Sequence, residues 1–271
     1  MELNGTAAGV PYVASPPSGG ARPDAPVVIG YHLLDAPRTE RAFAAAVPLT
    51  ALDAWKIYFG LPLSGSRLPA GGADELWRLL TTDAVLEVHQ HVTLGALAEF
   101  RSAYAAARAR LGIADGVPVG VLGGSMGGAV AQLIAAEGGL PVRAAVLINP
   151  VVRFRDTIDA VSAMHGTAYR WTPPADAVAD RLDFIGRAAD LGPAAIRFIT
   201  GADDMADAIL TPVSQAVPAL ANRGTVDWQV VPGMAHALAD EPGTDPAPQT
   251  PHAAIVDRLA GEWFQQHLPA S

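Results

Sequence analysis

The chain has 271 residues, half of them hydrophobic, a formal net charge of −9 and no cysteine. That is enough for one large α/β core and short for two independent enzymatic domains, so a single domain over residues 1–271 is expected. The acidic balance and the absence of a basic run argue against nucleic-acid or anionic-membrane partners, and the missing cysteine excludes disulfide frameworks, thiolate metal sites and cysteine nucleophiles.

The opening stretch Met1-Glu2-Leu3-Asn4-Gly5-Thr6 has no basic segment followed by an apolar one, and no apolar run is long enough to span a bilayer; a cytoplasmic protein is the expectation. Tyr12-Val13-Ala14 reads as a short strand of an antiparallel edge hairpin, followed by the turn-rich Pro16 to Pro23. Pro26 to Tyr31 and Trp55 to Phe59 read as buried strands, with a helix from Thr39 to Val47 between them. Leu94 to Leu111 is apolar at helical spacing and suits a long helix packed on a sheet. Further strands are expected at Val117 to Leu122, Arg143 to Ile148, Ala194 to Thr200 and Val226 to Val231, and a closing helix from Pro251 to His267. This alternation implies a mostly parallel sheet covered on both faces. It breaks between Val151 and Leu191, where a small cap or irregular insertion is expected after the sixth strand.

Gly123-Gly124-Ser125-Met126-Gly127 stands between one of those strands and the helix-like run from Gly128 to Ala135. This is a G-x-S-x-G elbow in its required setting: the turn strains the serine backbone, small neighbours make room, and the hydroxyl projects above the sheet edge. The backbone N–H of Met126, at the positive end of the following helix, faces the place where an oxyanion would develop. A serine hydroxyl needs a base and a group that fixes the base's tautomer. Both are offered just past strand ends, by Asp203-Asp204 and by His236, the carboxyl edge where open α/β sheets keep their sites.

With the order Ser, Asp, His, the chain resembles the α/β-hydrolase superfamily, in the layout of its dienelactone-hydrolase-like and prolyl-oligopeptidase-like members. The resemblance runs from about Val27 to His267. It implies Asp204 as the acid, three residues after the glycine that ends its strand, with Asp203 as the alternative. It also matches Gly233 to His236 to the family's Gly-x-x-His loop. Family members carry His-Gly after the third strand, followed by the second oxyanion donor. Here the stretch is Gly30-Tyr31-His32-Leu33-Leu34-Asp35, so the donor is Leu33 or, shifted by one, Leu34.

Tyr31, His32, Tyr58, Met164 and Trp171 are candidates for lining the substrate pocket, the segment from Val151 to Leu191 being where specificity is expected to reside. His89-Gln90-His91 lacks a recognisable third ligand and reads as a solvated segment, so no metal or other cofactor is expected. The expected function is that of a serine esterase, a carboxylesterase forming an acyl-enzyme on Ser125 from a small-molecule ester. Thioesterase, lactonase and peptidase activity on the same residues, a low-turnover binding protein of this fold, and a homo-oligomer are left open.

Overall fold

The computed structural model of the chain describes residues 3–269; Met1 and Glu2, the first residues of the opening stretch read for a leader, lie outside the described residues. One sheet contains β1 (Leu3–Ala7), β2 (Val10–Ser15), β3 (Val27–Tyr31), β4 (Trp55–Phe59), β5 (Val119–Gly124), β6 (Val142–Ile148), β7 (Ala195–Gly201) and β8 (Val226–Val231). The strands lie in the order β1-β2-β4-β3-β5-β6-β7-β8. β1 and β2 form the antiparallel edge hairpin, β2 runs antiparallel to β4, and the pairs from β4 to β8 are parallel.

The helices are α1 (Glu40–Ala46), α2 (Gly72–Asp83), α3 (Gln90–Leu111), α4 (Met126–Glu137), α5 (Phe154–Met164), α6 (Pro173–Arg181), α7 (Thr211–Ala221) and α8 (Pro251–His267). Local chemistry explains where several of them begin. The Thr39 hydroxyl accepts from the N–H of Ala42 at the start of α1, and Thr250 does the same for Ala253 at the start of α8, where Pro251 occupies the first turn.

The central strands are buried on both faces, which is why they read as continuous apolar runs rather than alternating ones. Val27, Ile29 and Tyr31 of β3 pack on the side of α3, α4 and α7; Val28 faces the opposite layer, formed with Phe43 of α1 and Val256, Trp263 and Phe264 of α8. Gly120 of β5 is where the Phe264 ring comes so close to the backbone that a Cβ would meet it. On the other side of α8, Arg197 of β7 pairs with Asp227 of β8 at 2.7 Å and lies over the Trp263 ring, tying the helix to the sheet edge.

The segment between β6 and β7, expected as irregular, is largely helical: α5, α6 and a short 3-10 turn at Ala188–Leu191. Its Phe154, Val178, Leu182 and Phe184 are buried in the same core layer as α4. The stretch between β4 and α3 carries α2 and then a π-helical segment, Ala84–His89. Asp83 marks the junction. Its carboxylate accepts from the N–H groups of Val85 and Leu86 and from the hydroxyl of Tyr169, pinning the β6–β7 segment to the end of α2.

Candidate active site

Ser125 joins β5 to α4 with φ +50° and ψ −118°, a left-handed conformation that is strained for a side-chain-bearing residue. The surrounding contacts over-determine it. Its N–H donates to the carbonyl of Ile148 at 2.9 Å, and its carbonyl accepts from Gly128 and Val151. The glycines on either side are required by close approach. A Cβ on Gly123 would collide with the backbone of Gly127, and one on Gly127 with the carbonyl oxygens of Tyr31 and His32. The elbow is therefore pressed directly against the end of β3.

The ends of β7 and β8 bring two further groups to the serine. Asp204 closes a turn after β7 in which its N–H donates to the Gly201 carbonyl, and the N–H of Met205 returns to its carboxylate at 2.7 Å. Both Asp204 oxygens lie 3.0 Å from Nδ1 of His236. A carboxylate only accepts, so Nδ1 carries the proton and Nε2 is left to accept from the Ser125 hydroxyl at 2.8 Å. The Asp204 side chain is 0% and the His236 side chain 15% exposed. Burial disfavours charge on His236, but the hydrogen bond and charge of Asp204 and the charge of Asp35 outweigh it, and the imidazole is raised above its ordinary pKa. Asp203, the alternative acid, is exposed, and its N–H is tied to the carbonyl of Met234.

Asn149, just beyond β6, holds these loops together. It is buried with φ +42°; its Oδ1 accepts from the N–H of Gly201 at 2.8 Å, and its Nδ2 donates to the carbonyls of Ala235 and His236 at 3.1 and 2.9 Å. One amide thus sets the spacing between the aspartate-bearing turn and the histidine-bearing loop. No pattern of neighbouring residues marks it out, since an asparagine after a strand reads as an ordinary turn residue.

The same architecture recurs in solved proteins. The TT1662 protein of Thermus thermophilus superposes with a TM-score of 0.71 at 20% identity, over 100% of this chain and 99% of that one. Dienelactone hydrolase from Anabaena variabilis gives 0.55 at 17%, over 99% of both chains. An acylaminoacyl peptidase of Pyrococcus horikoshii gives 0.66 at 13%, over 99% of this chain but only 41% of that longer one. The chain has the α/β-hydrolase fold. No family model and no curated protein matches its sequence.

Within the α/β-hydrolase fold, the remaining candidate residues divide. Met126 opens α4 and Leu33 follows β3, both beside the elbow. The Leu33 side chain is buried in the layer away from the serine's helix, under Gly124. Leu34 is half-buried and lines a cavity. Tyr31 is buried in the core, its ring 6.0 Å from that of Phe59. His32 is fully buried: Nε2 accepts from the N–H of Leu61 at 3.1 Å, which puts the proton on Nδ1, and Nδ1 donates to the Leu33 carbonyl at 2.5 Å. Burial pushes its pKa down to about 4, so the ring is a neutral brace.

Three pocket candidates lie elsewhere. Tyr58 is buried in the α1–α8 layer with its hydroxyl donating to the Val47 carbonyl, because alternation along β4 turns it to that face. Met164, at the end of α5, is 72% exposed. Trp171 is occupied by Arg155 stacked 4.0 Å from its ring and by a hydrogen bond to Asp159. The solvated reading of His89 is also corrected: its ring packs edge-on against Phe154 and lines the same cavity as Leu34. Among the described residues no group of three or more His, Cys, Asp or Glu side chains could hold a metal ion, and no helix is long and apolar enough to cross a membrane.

Proposed function

We propose that the protein is a serine hydrolase of carboxylic esters, working without a cofactor. The observation that carries this reading is the unbroken hydrogen-bonded chain from Ser125 Oγ to His236 Nε2 at 2.8 Å and from His236 Nδ1 to Asp204 at 3.0 Å. Ser125 Oγ attacks the acyl carbon as its proton passes to Nε2 of His236. Asp204 keeps the ring in the required tautomer and stabilises its cation. Nε2 then gives the proton to the departing alcohol oxygen, leaving the acyl group on Ser125. Water enters, loses a proton to Nε2 and adds to the acyl carbon; the acid departs and Ser125 regains its hydrogen.

The developing oxyanion is received by the N–H of Met126 and, of the two readings left open by sequence, by that of Leu34. The support for Leu34 is the His32 bond. By holding the Leu33 carbonyl it fixes the peptide plane between residues 33 and 34, and in a trans peptide the Leu34 N–H points the opposite way. Each such donor contributes about 3 kcal/mol to lowering the barrier. Peptide hydrolysis is the second reading, favoured by the likeness to an acylaminoacyl peptidase, of which this chain spans about two-fifths.

The test is Ser125→Ala against a small activated acetate ester. Turnover is expected to fall by roughly 10³-fold or more with the circular dichroism spectrum unchanged. Parental turnover in the variant overturns the assignment. Parallel thioester and peptide amide substrates separate the ester reading from the alternatives.

A further inference from the structure

A cavity of about 710 Å³ lies between α2, the start of α3 and the loop that follows β3. Its walls are mainly apolar, with Leu34, Leu63, Leu76, Leu80, Val88 and Val92 among them. It reaches the serine site at Asp35, a lining residue whose Oδ2 is 3.6 Å from Nε2 of His236. That nitrogen is the one facing Ser125 Oγ. The volume is that of a small-molecule site, and the Asp35 carboxylate it shares with the surroundings of His236 distinguishes it from the smaller hollows elsewhere on the surface.

Two residues of this wall each carry a buried polar atom without a hydrogen-bond partner, Nδ1 of His89 and Nε of Arg38. Arg38 directs its Nη2 to Glu241 at 2.6 Å, which leaves the Nε–H with nothing to bond. His89 is held neutral, its pKa lowered to about 4 by burial, so its ring offers one donor and one acceptor. A buried polar atom left unpaired is destabilising, and natural proteins keep few of them. Two such residues in a cavity lined by leucines and valines together with Asp35, Thr39, Glu40, Arg41 and Ser64 describe what fits there: a mainly apolar body with a polar atom along its length.

We infer that this cavity receives the apolar arm of the ester, an alkyl or aryl group of about six to ten carbons that carries an oxygen acceptor, and that Arg38 Nε–H and His89 hold that oxygen. The inference rests on the ester-hydrolase reading and goes on to name the substrate class. It also locates specificity in residues 34–41 and 63–92 rather than in the 151–191 segment, no residue of which lines the cavity.

The experiment measures kcat/KM for activated esters in two series, one lengthening the acyl arm and one the alcohol arm, from two carbons to ten, each with plain alkyl arms and with arms bearing a ketone or terminal hydroxyl. The wild type is expected to prefer long arms in one series, and acceptor-bearing arms over plain ones by about fivefold or more. Leu80→Trp fills the cavity and should lower kcat/KM for the long arms by about tenfold relative to that for the acetate ester. His89→Phe keeps the edge contact with Phe154 and should erase the preference for the acceptor while sparing plain alkyl arms. If the acetate ester is turned over but neither series depends on Leu80→Trp, the cavity assignment is overturned. If length matters but His89→Phe and Arg38→Met leave the acceptor preference intact, the polar half of the inference is overturned. If no ester is hydrolysed at all, it is the underlying ester reading that fails.

Discussion

The strand ends around Ser125 and the stretch from Gly72 to His89, linked through the Asp35 loop, are built in opposite ways. At the strand ends, Ser125, Asn149 and Asp204 are buried; the Ser125 and Asn149 N–H groups donate to backbone of the neighbouring strands, and the side chains of Ser125 and Asp204 bond to His236. α2 has no fully buried residue; Leu76, Leu79 and Leu80 are only half-covered, and Trp77 on its outer side is exposed. The comparison teaches a division of labour. On the reading proposed above, chemistry that needs close placement is set into the sheet, whereas selection of the substrate falls to a thinly packed helix that can change without disturbing the elbow.

Breaking the rigid side should have the larger consequence. Asn149→Ala removes three hydrogen bonds that cross between loops, so stability should fall by roughly 3 kcal/mol by denaturant titration. kcat for an acetate ester should fall with it, since His236 and Asp204 lose their common brace. A variant with parental stability and kcat would remove Asn149 from the account.

Next in size is the pH response. His236 must be neutral to accept the serine proton, and its pKa is raised, so the acid limb of kcat/KM should have its midpoint above about 6.5 and activity should be lost as pH falls through it. Asp35→Asn removes a negative charge 3.6 Å from Nε2, weakens the imidazolium and should move that limb to lower pH. A limb that stays in place or moves upward would show that Asp35 does not act on the ring. The smallest effect is expected on the pliable side. Leu79→Ala, on α2 but outside the cavity lining, should cost about 1 kcal/mol and leave acetate turnover intact. A loss matching that of Asn149→Ala would erase the contrast between the two regions.

The same contrast governs what could be read before the fold was known. Strands β3 to β7 and helix α8 were legible because strands buried on both faces are largely apolar runs and because Thr250-Pro251 announces a helix start. The elbow was legible because its residue pattern is local, Gly123 making room for the backbone of Gly127 within the same turn, although Gly127 also answers to the end of β3. Asn149 was not, since its importance arises from three partners more than fifty residues away. His89 looks solvated beside Gln90 and His91; only Phe154, brought from another segment, buries its ring. The pocket roles expected of Tyr58, Met164 and Trp171 rested on residue type alone. Side-chain direction, which strand alternation sets for Tyr58 and tertiary partners set for Trp171, was not in the pattern.

The reaction proposed for the protein needs His236 and Asp204 to activate Ser125 for attack. A fluorophosphonate probe followed by peptide mapping tests it most directly. A single adduct on Ser125 is expected in the native protein, absent after denaturation in urea and absent in His236→Ala. An adduct on Ser125 that forms equally well without His236, or native protein that stays unmodified, would contradict it.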